Sequence, residues 1–186
     1  MYAFSMSNAA EQFISRGDYL AIECEGTQRH DWVGGQMFAM TGGTLLHNRL
    51  SFRIASQLSA VAEPAGCRTY IADTKVVTDF AAYYPDVMVV CEEQADPYFE
   101  THPCLIVEVL SKSTQDQDKR EKWMAYASIP TLDHYVLVSQ AERTIEHRRR
   151  TDLGWSTEIL GPEDSIRLTC PEIVLTVQSI YDGLLG

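Results

Sequence analysis

The stretch "CLIVEVLSKST", residues 104–114, places an acid, Glu108, inside a run of apolar residues that is typical of an interior β-strand. Alternation divides this strand into two faces that are both largely apolar: Ile106, Glu108 and Leu110 on one, and Leu105, Val107 and Val109 on the other. The pattern therefore predicts a strand that is covered on both sides. Because a buried carboxylate without a partner is costly, Glu108 must be paired, protonated or bound to a metal.

A second acid stands at the mouth of another apolar strand, in "YYPDVMVVC", residues 83–91. Pro85 precedes Asp86 and fixes the backbone where the strand begins. If this strand and that of Glu108 are neighbours, about 4.8 Å apart, the two carboxylates point at one spot. They repel there unless they share a proton or a cation. Mg²⁺ fits, because it takes one or two carboxylates and keeps its other positions for water and phosphate.

A positive group is available on the helix predicted over residues 113–128, "STQDQDKREKWMAYAS". Asp118, Lys122 and Tyr126 are spaced four residues apart and so share one helix face. Lys122 is therefore a candidate for neutralising charge on a phosphate or orienting the attacking water. The alternative is an ordinary ion pair between Asp118 and Lys122 on a solvated face.

The remaining pattern predicts an α+β or mixed α/β fold, with helices flanking one central sheet, in a single domain over residues 1–186. Two or three short strands are expected between residues 18 and 41, with "VGGQ" as a turn. The other predicted helices cover 7–17 and 44–66, with a helical turn near 177–185, and the other strands cover 67–72, 74–80, 133–139, 143–150 and 154–160.

Composition narrows the class of protein. The chain is 45% hydrophobic and 22% charged, as is ordinary for a globular protein, and its net charge of −11 argues against a general nucleic-acid coat protein. No apolar stretch approaches the roughly 20 residues of a membrane span, and the N-terminus lacks signal-peptide features, so we expect a cytoplasmic protein. The five cysteines are far apart and form no C-x-x-C pair, so we expect reduced packing residues rather than a disulfide framework or zinc ribbon: Cys24, Cys67, Cys91, Cys104 and Cys170.

These motifs carry a resemblance. Pro85-Asp86, Glu108 in "EVLSKST", and the segments "DKREKWMAY" and "DHYVLVS" together resemble the PD-(D/E)XK nuclease superfamily, and more narrowly its branch of restriction endonucleases, the Uma-two family. "DWVGGQMFAMTGGTLLHNRL", residues 31–50, is similar to that family's segment of glycine turn, strand and His-bearing helix. The likeness covers roughly residues 18–140. It implies a restriction-endonuclease-like core, with a small N-terminal β extension, and metal-dependent hydrolysis of phosphodiesters.

Carried onto this chain, the resemblance makes Asp86 and Glu108 ligands of Mg²⁺ or Mn²⁺ and Lys122 the catalytic lysine. The superfamily places its lysine two residues after the second acid, where this chain has Leu110, so the lysine has moved to the helix. The neighbours suggested for the site are His47, Asp118 and Tyr126, with less support for Asp31. The implied partners are a nucleic acid, with DNA as the first choice, and a second copy of the chain.

Other interpretations stay open. Leu110 and the acidic charge favour a catalytically silent binding or assembly module, and a hydrolase of phosphorylated small molecules would share the metal site. At the level of single residues, His47 is also typical of a packing or capping histidine, and Lys75 of an edge-strand charge. Trp123 and Tyr126 are more typical of a core than of a base-stacking surface, and "EHRRR", residues 146–150, is typical of an exposed strand end.

Overall fold

The computed structural model describes residues 13–92, 96–111 and 118–185, with the side chains of Asp118 and Lys119 outside that description. The described α-helices are α1 (Arg16–Glu25), α2 (Leu45–Ala62), α3 (Trp123–Ala127) and α4 (Val177–Tyr181). A short 3-10 turn, Glu63–Ala65, follows α2, and a π-helical turn, Asp118–Lys122, leads into α3. Within these ranges, no helix is long and apolar enough to span a membrane.

The strands of the described ranges are β1 (His30–Val33), β2 (Gln36–Ala39), β3 (Arg68–Ile71), β4 (Lys75–Val77), β5 (Ala81–Tyr83), β6 (Val87–Val90), β7 (Phe99–Glu100), β8 (Leu105–Leu110), β9 (His134–Ser139), β10 (Ile145–Thr151), β11 (Gly154–Leu160), β12 (Ser165–Thr169) and β13 (Glu172–Thr176). They form a six-stranded sheet in the order β11-β10-β9-β8-β6-β3, a five-stranded sheet in the order β2-β1-β5-β4-β7, and the hairpin β12-β13. In the larger sheet β8 and β9 are parallel and the other pairs are antiparallel. The predicted mixed sheet with flanking helices is confirmed.

Strand β8 lies inside the larger sheet, covered on both faces as its alternation predicts. Leu105, Val107 and Val109 pack with α2, the β12-β13 hairpin and α4 in one core cluster. Ile106 and Leu110 lie in a second cluster, with α3 and residues of the five-stranded sheet. Glu108 therefore emerges on the face that carries α3, although the strand around it is fully buried.

The N-terminal helix differs from its prediction. A helix was expected over residues 7–17, but α1 begins at Arg16 and continues to Glu25; residues 1–12 lie outside the described part. Ser15 is the N-cap, since its hydroxyl accepts the backbone N–H of Asp18 at 3.2 Å. The alternation after Asp18 was mistaken for a strand because only Tyr19 of this helix is buried, which leaves a weak helical pattern.

The cysteine expectation is wrong. Cys67 is bonded to Cys91 and Cys104 to Cys170, while Cys24 is free and exposed. The spacing of the cysteines along the chain does not reveal this pairing, because the pairing arises from strand register. In the antiparallel pair β3-β6, Arg68 lies opposite Val90, so the next position places Cys67 opposite Cys91. The prediction also missed the short strands β5 and β7 and the hairpin β12-β13.

Candidate active site

Strand register brings Asp86 and Glu108 together. In the antiparallel pair β6-β8, Val87 lies opposite Val107, so the next position places Asp86 opposite Glu108. The backbone N–H of Val109 donates to Oδ2 of Asp86 at 2.7 Å, which fixes the aspartate against the neighbouring strand. The two carboxylates therefore meet at the end of two adjacent strands, as their positions in the sequence predict.

Glu108 is 2% exposed and is held by two residues of the following helical segment. The hydroxyl of Tyr126 donates to Oε1 at 3.0 Å, and Nζ of Lys122 lies 3.1 Å from Oε2. Lys122 ends the π-helical turn and Tyr126 lies in α3, so their four-residue spacing presents both to the same strand. The helix thus supplies the partner that the buried acid requires.

Lys122 itself is almost enclosed, with 11% of its side chain exposed. Its ammonium also lies 5.8 Å from the ring centroid of Tyr83, over the aromatic face. The Tyr83 and Tyr126 rings meet edge to face at 5.7 Å. The lysine is consequently poorly solvated beside the pocket, where its charge is weakly screened by water.

Tyr126 is a hydrogen-bond donor to Glu108 and keeps its own proton. Complete burial raises the pKa of Tyr126 well above its ordinary value, and the neighbouring Glu108 carboxylate raises it further. Burial also raises the pKa of Tyr83, with Asp31 adding to the effect. Both phenols therefore remain neutral, and the Tyr126 hydroxyl keeps donating to the carboxylate.

His47 lies beside Asp86 in the first turn of α2. Its Nε2 is 2.7 Å from Oδ1 of Asp86, and Nε2 of Gln140 is 3.5 Å from its Nδ1. Because the Gln140 amide nitrogen can only donate, His47 accepts at Nδ1 and donates its Nε2–H to Asp86. Thr44 caps the helix by accepting the N–H of His47 at 3.1 Å. A Cβ at Gly43 would lie 2.9 Å from Cδ2 of His47, so glycine leaves room for this ring.

These residues surround one pocket of about 290 Å³. Its lining includes Asp31, Phe38, Thr44, His47, Tyr84, Asp86, Glu108, Ser111 and Lys122. Of the residues predicted from the sequence, the structure thus brings together Asp86, Glu108, Lys122, His47 and Asp31, with Tyr126 behind Glu108. The remaining predicted position, Asp118, falls where side chains are not described.

The donor set fits a hard divalent cation. Asp86 and Glu108 offer carboxylate oxygens to the same pocket, and Asp31 adds a third acid to its lining. Each carboxylate oxygen carries two lone pairs, so an oxygen that accepts a hydrogen bond still has one for a metal. Two carboxylates with water and phosphate in the remaining positions are the usual environment of Mg²⁺. Asp86 and Glu108 are therefore the residues that would hold the metal.

Sequence reasoning missed Gln140. Its amide donates to the Leu110 carbonyl at 3.0 Å and its Oε1 accepts the Thr44 hydroxyl at 2.7 Å, so it ties β8 to the start of α2 beside His47. The available signal was its place directly after β9, the parallel neighbour of β8. Residues that follow parallel strands meet at one edge of the sheet, which is where a site is expected.

Most of the basic run at residues 146–150 is used in packing, whereas Arg149 is exposed as expected for a strand end. Arg148 lies over the ring of Trp123 and donates to Glu146, while Arg150 donates to the backbone carbonyls of Leu132 and Ile129. Tyr126 is fully buried, in agreement with the core interpretation of this ring. Lys75 is 7% exposed, and its ammonium lies 5.5 Å from the ring centroid of Tyr84. Both residues line a second polar pocket of about 290 Å³, so Lys75 is not the solvated edge-strand charge that the sequence suggests.

Comparison with known proteins identifies the family and the fold of this chain. The Uma2 family model, described as "Putative restriction endonuclease", matches residues 16–178. The uncharacterised proteins slr1290 and sll1609 of Synechocystis sp. are 32% and 30% identical over 176 residues, covering 92% and 89% of this chain and 93% and 98% of their own. The crystal structure of a "putative nuclease belonging to DUF820" from Anabaena variabilis superposes with a TM-score of 0.76 at 16% identity, covering 92% of this chain and 99% of that one, and shows the same fold. The chain therefore belongs to the Uma2 family of restriction-endonuclease-like proteins.

Proposed function

We propose that this chain is a Mg²⁺- or Mn²⁺-dependent endonuclease that hydrolyses phosphodiester bonds of DNA. The observation that carries the proposal is the convergence of Asp86, Glu108 and Lys122 on one pocket from two strands and the following helix. Two acids and one lysine suit metal-dependent phosphodiester hydrolysis, because they offer oxygen ligands for a cation and a fixed positive charge.

Each residue has a separate task in this proposal. Asp86 and Glu108 would hold the cation, which when bound polarises the phosphate and lowers the pKa of water. Lys122 stabilises the negative charge that develops on the phosphate oxygens, because its ammonium lines the same pocket in a poorly solvated position. Tyr126 and His47 orient the carboxylates through their hydrogen bonds to Glu108 and Asp86.

The location of Lys122 is the main adaptation of this site. Leu110 occupies the position two residues after Glu108, and its side chain belongs to the apolar cluster beneath α3. A lysine at residue 110 would have to enter that cluster, at a large desolvation cost. The helix delivers an ammonium to Glu108 without opening the core, which supports a functional role for the displaced lysine.

DNA is the proposed substrate because the family description names restriction endonucleases. The net charge of −11 argues against binding through a broad, nonspecific basic surface, so the proposed contact is local. We further propose a cytoplasmic homodimer, because two copies offer one site for each DNA strand. Sedimentation of the free and DNA-bound protein tests the dimer.

A catalytically silent binding module is the alternative, and one observation favours it. Every carboxylate oxygen of the two acids already has a protein partner: His47 and the Val109 N–H for Asp86, and Tyr126 and Lys122 for Glu108. Such a closed network also suits a purely structural acid pair. Metal binding at these residues separates the two functions.

Calorimetry with Mn²⁺ or Mg²⁺ provides that separation. The nuclease proposal predicts binding that is lost in Asp86→Asn and Glu108→Gln but kept in Glu163→Gln, which removes an exposed acid outside the pocket lining. Binding should be accompanied by cleavage of plasmid or single-stranded DNA that EDTA abolishes. Absence of both binding and cleavage in a folded wild-type protein would favour the silent module.

A further inference from the structure

Four cysteines meet at the opposite end of the strands that carry the candidate active site. Strand β6 begins directly after Asp86 and is followed directly by Cys91. Strand β8 begins directly after Cys104 and carries Glu108 near its C-terminal end. Cys67 lies before β3, and Cys170 lies in the turn of the hairpin β12-β13. Four separate chain segments thus contribute one sulfur each to the same place.

Backbone contacts explain the convergence. The β3-β6 register sets Cys67 opposite Cys91, with their Cα atoms 4.0 Å apart. The N–H of Cys104 donates to the Val89 carbonyl at 2.9 Å, which places it beside the end of the same strand. The Sγ of Cys104 also approaches the Cys170 carbonyl at 3.6 Å, so the hairpin turn covers the cluster. Cys67 and Cys104 are buried, whereas Cys91 is exposed.

The sulfurs form one compact group rather than two separate pairs. Besides the bonds Cys67–Cys91 and Cys104–Cys170, the Sγ of Cys91 lies 3.1 Å from that of Cys170 and 3.7 Å from that of Cys104. The sulfurs of Cys67, Cys91 and Cys170 all lie within 4.8 Å of one another.

The non-bonded distances of 3.1 and 3.7 Å between these sulfurs approach those around a single tetrahedral ion. Zn–S bonds of about 2.3 Å place the four sulfurs of a tetrahedral site about 3.8 Å apart. Four thiolates suit zinc or iron–sulfur chemistry. An iron–sulfur cluster inserts several irons and sulfides between its thiolates and so needs them further apart than the distances found for this group. The compact arrangement therefore favours one zinc ion.

We propose that Cys67, Cys91, Cys104 and Cys170 form a structural Zn²⁺ site in the reduced protein, and that the two disulfides are the oxidised, metal-free form of that site. Reduction of each disulfide by a dithiol takes up two electrons and two protons and yields two thiols. Four thiols then bind one Zn²⁺ as thiolates and release four protons. The ion would join the β12-β13 hairpin to the ends of β3, β6 and β8, remote from the carboxylates that the nuclease proposal uses.

Metal analysis of the full chain tests this site. After anaerobic reduction with a phosphine, addition of Zn²⁺ and removal of excess ion, we expect about one tightly held zinc per chain. Cys91→Ser and Cys170→Ser should lose it, while Cys24→Ser, which changes the exposed free cysteine, should keep it. Glu108→Gln should also keep it, which distinguishes this ion from one held by the carboxylates.

Cobalt supplies a readout that does not depend on the folding of cysteine variants. Co²⁺ added to the reduced Cys24→Ser protein should give a thiolate-to-cobalt charge-transfer band and the intense visible bands of tetrahedral cobalt. Zn²⁺ should displace it, and mild oxidation should release the ion as both disulfides form. A reduced, folded protein that gives no such spectrum and retains no zinc would overturn the proposal, as would zinc retention in the double variant Cys91→Ser/Cys170→Ser.

Discussion

The ammonium nitrogen of Lys122 lies 3.1 Å from Oε2 of Glu108, so a helix supplies the cation that β8 itself lacks at Leu110. The pair is nearly enclosed, with 11% of the lysine side chain and 3% of the glutamate side chain exposed. In this nearly enclosed environment the Coulomb attraction between the two charges is strong. Removing one partner is correspondingly costly, because the other charge stays buried without it. The interaction therefore links folding stability to the candidate chemistry.

Lys122→Met should remove the cation that pairs with the buried Glu108 carboxylate. We expect a loss of about 3 kcal/mol in the free energy of unfolding, because one partner of a buried ion pair is removed. The double variant Glu108→Gln/Lys122→Met should lose less than the sum of the two single variants. Urea unfolding of all four proteins measures this coupling, and strict additivity would contradict a direct interaction between these side chains.

Tyr126→Phe tests the hydrogen bond behind the acid. The substitution removes the hydroxyl that lies 3.0 Å from Glu108 but keeps the ring, which packs against Tyr83 and Tyr135. We expect a loss of about 1–3 kcal/mol in stability, since a bond to a charged group is lost. Urea unfolding measures it. The matched variant Tyr135→Phe leaves this bond intact. If Tyr126→Phe and Tyr135→Phe changed the metal affinity equally, the result would argue against an orienting role for Tyr126.

His47 should affect the metal through Asp86. His47→Ala removes the donor to Oδ1 of Asp86, and loss of such an outer partner typically weakens metal affinity or activity about 10- to 100-fold. Gly43→Ala should have a smaller effect of the same kind, because its new Cβ displaces the His47 ring. Titration with Mn²⁺ compares both with wild type, and unchanged affinity in His47→Ala would leave His47 as a packing residue.

Acid should destabilise the protein through a buried histidine pair. The Thr169 N–H donates to Nε2 of His134 at 3.0 Å, so the neutral His134 donates from Nδ1 to His147, 2.9 Å away. His147 in turn donates from Nδ1 to Glu158 at 2.8 Å. Burial lowers the pKa of His134 to about 4, with His147 and Arg149 contributing, and burial also lowers the pKa of His147 although Glu158 opposes this.

The sign of the pH effect follows from proton uptake. An unfolded histidine titrates near pH 6.5, so between about pH 6.5 and 4 the unfolded chain binds more protons than the folded one. Stability should therefore fall as the pH is lowered through this window, by on the order of 3 kcal/mol for His134. Denaturant midpoints between pH 7 and 4 measure the effect. A wild-type slope equal to that of His134→Asn would contradict it.

The sequence was sufficient for features that depend on local pattern. The alternation around Glu108 correctly predicted a strand covered on both faces, and the spacing of Lys122 and Tyr126 placed both on one side of a helix. Pro85-Asp86, at the start of an apolar strand, identified the second acid. The two carboxylates meet because the register of the neighbouring strands β6 and β8 places Asp86 opposite Glu108.

Other features depend on contacts between distant segments and left little local signal. Gln140 reaches His47 only because β9 lies parallel to β8, a pairing that alternation does not specify. The cysteine cluster requires the β3-β6 register together with the hairpin that carries Cys170. Helix α1 was missed since it buries only Tyr19 and so lacks an apolar stripe.

Glu108 is proposed to be a metal ligand of a nuclease site, and the measurement that decides this is cleavage of supercoiled plasmid in Mg²⁺ or Mn²⁺. Wild type and Glu163→Gln should nick or linearise the plasmid, EDTA should stop them, and Glu108→Gln and Lys122→Ala purified identically should slow cleavage by at least about 100-fold. Circular dichroism of each protein confirms that the variants are folded. Equal cleavage by wild type and folded Glu108→Gln, or no cleavage by any of them, would contradict the claim.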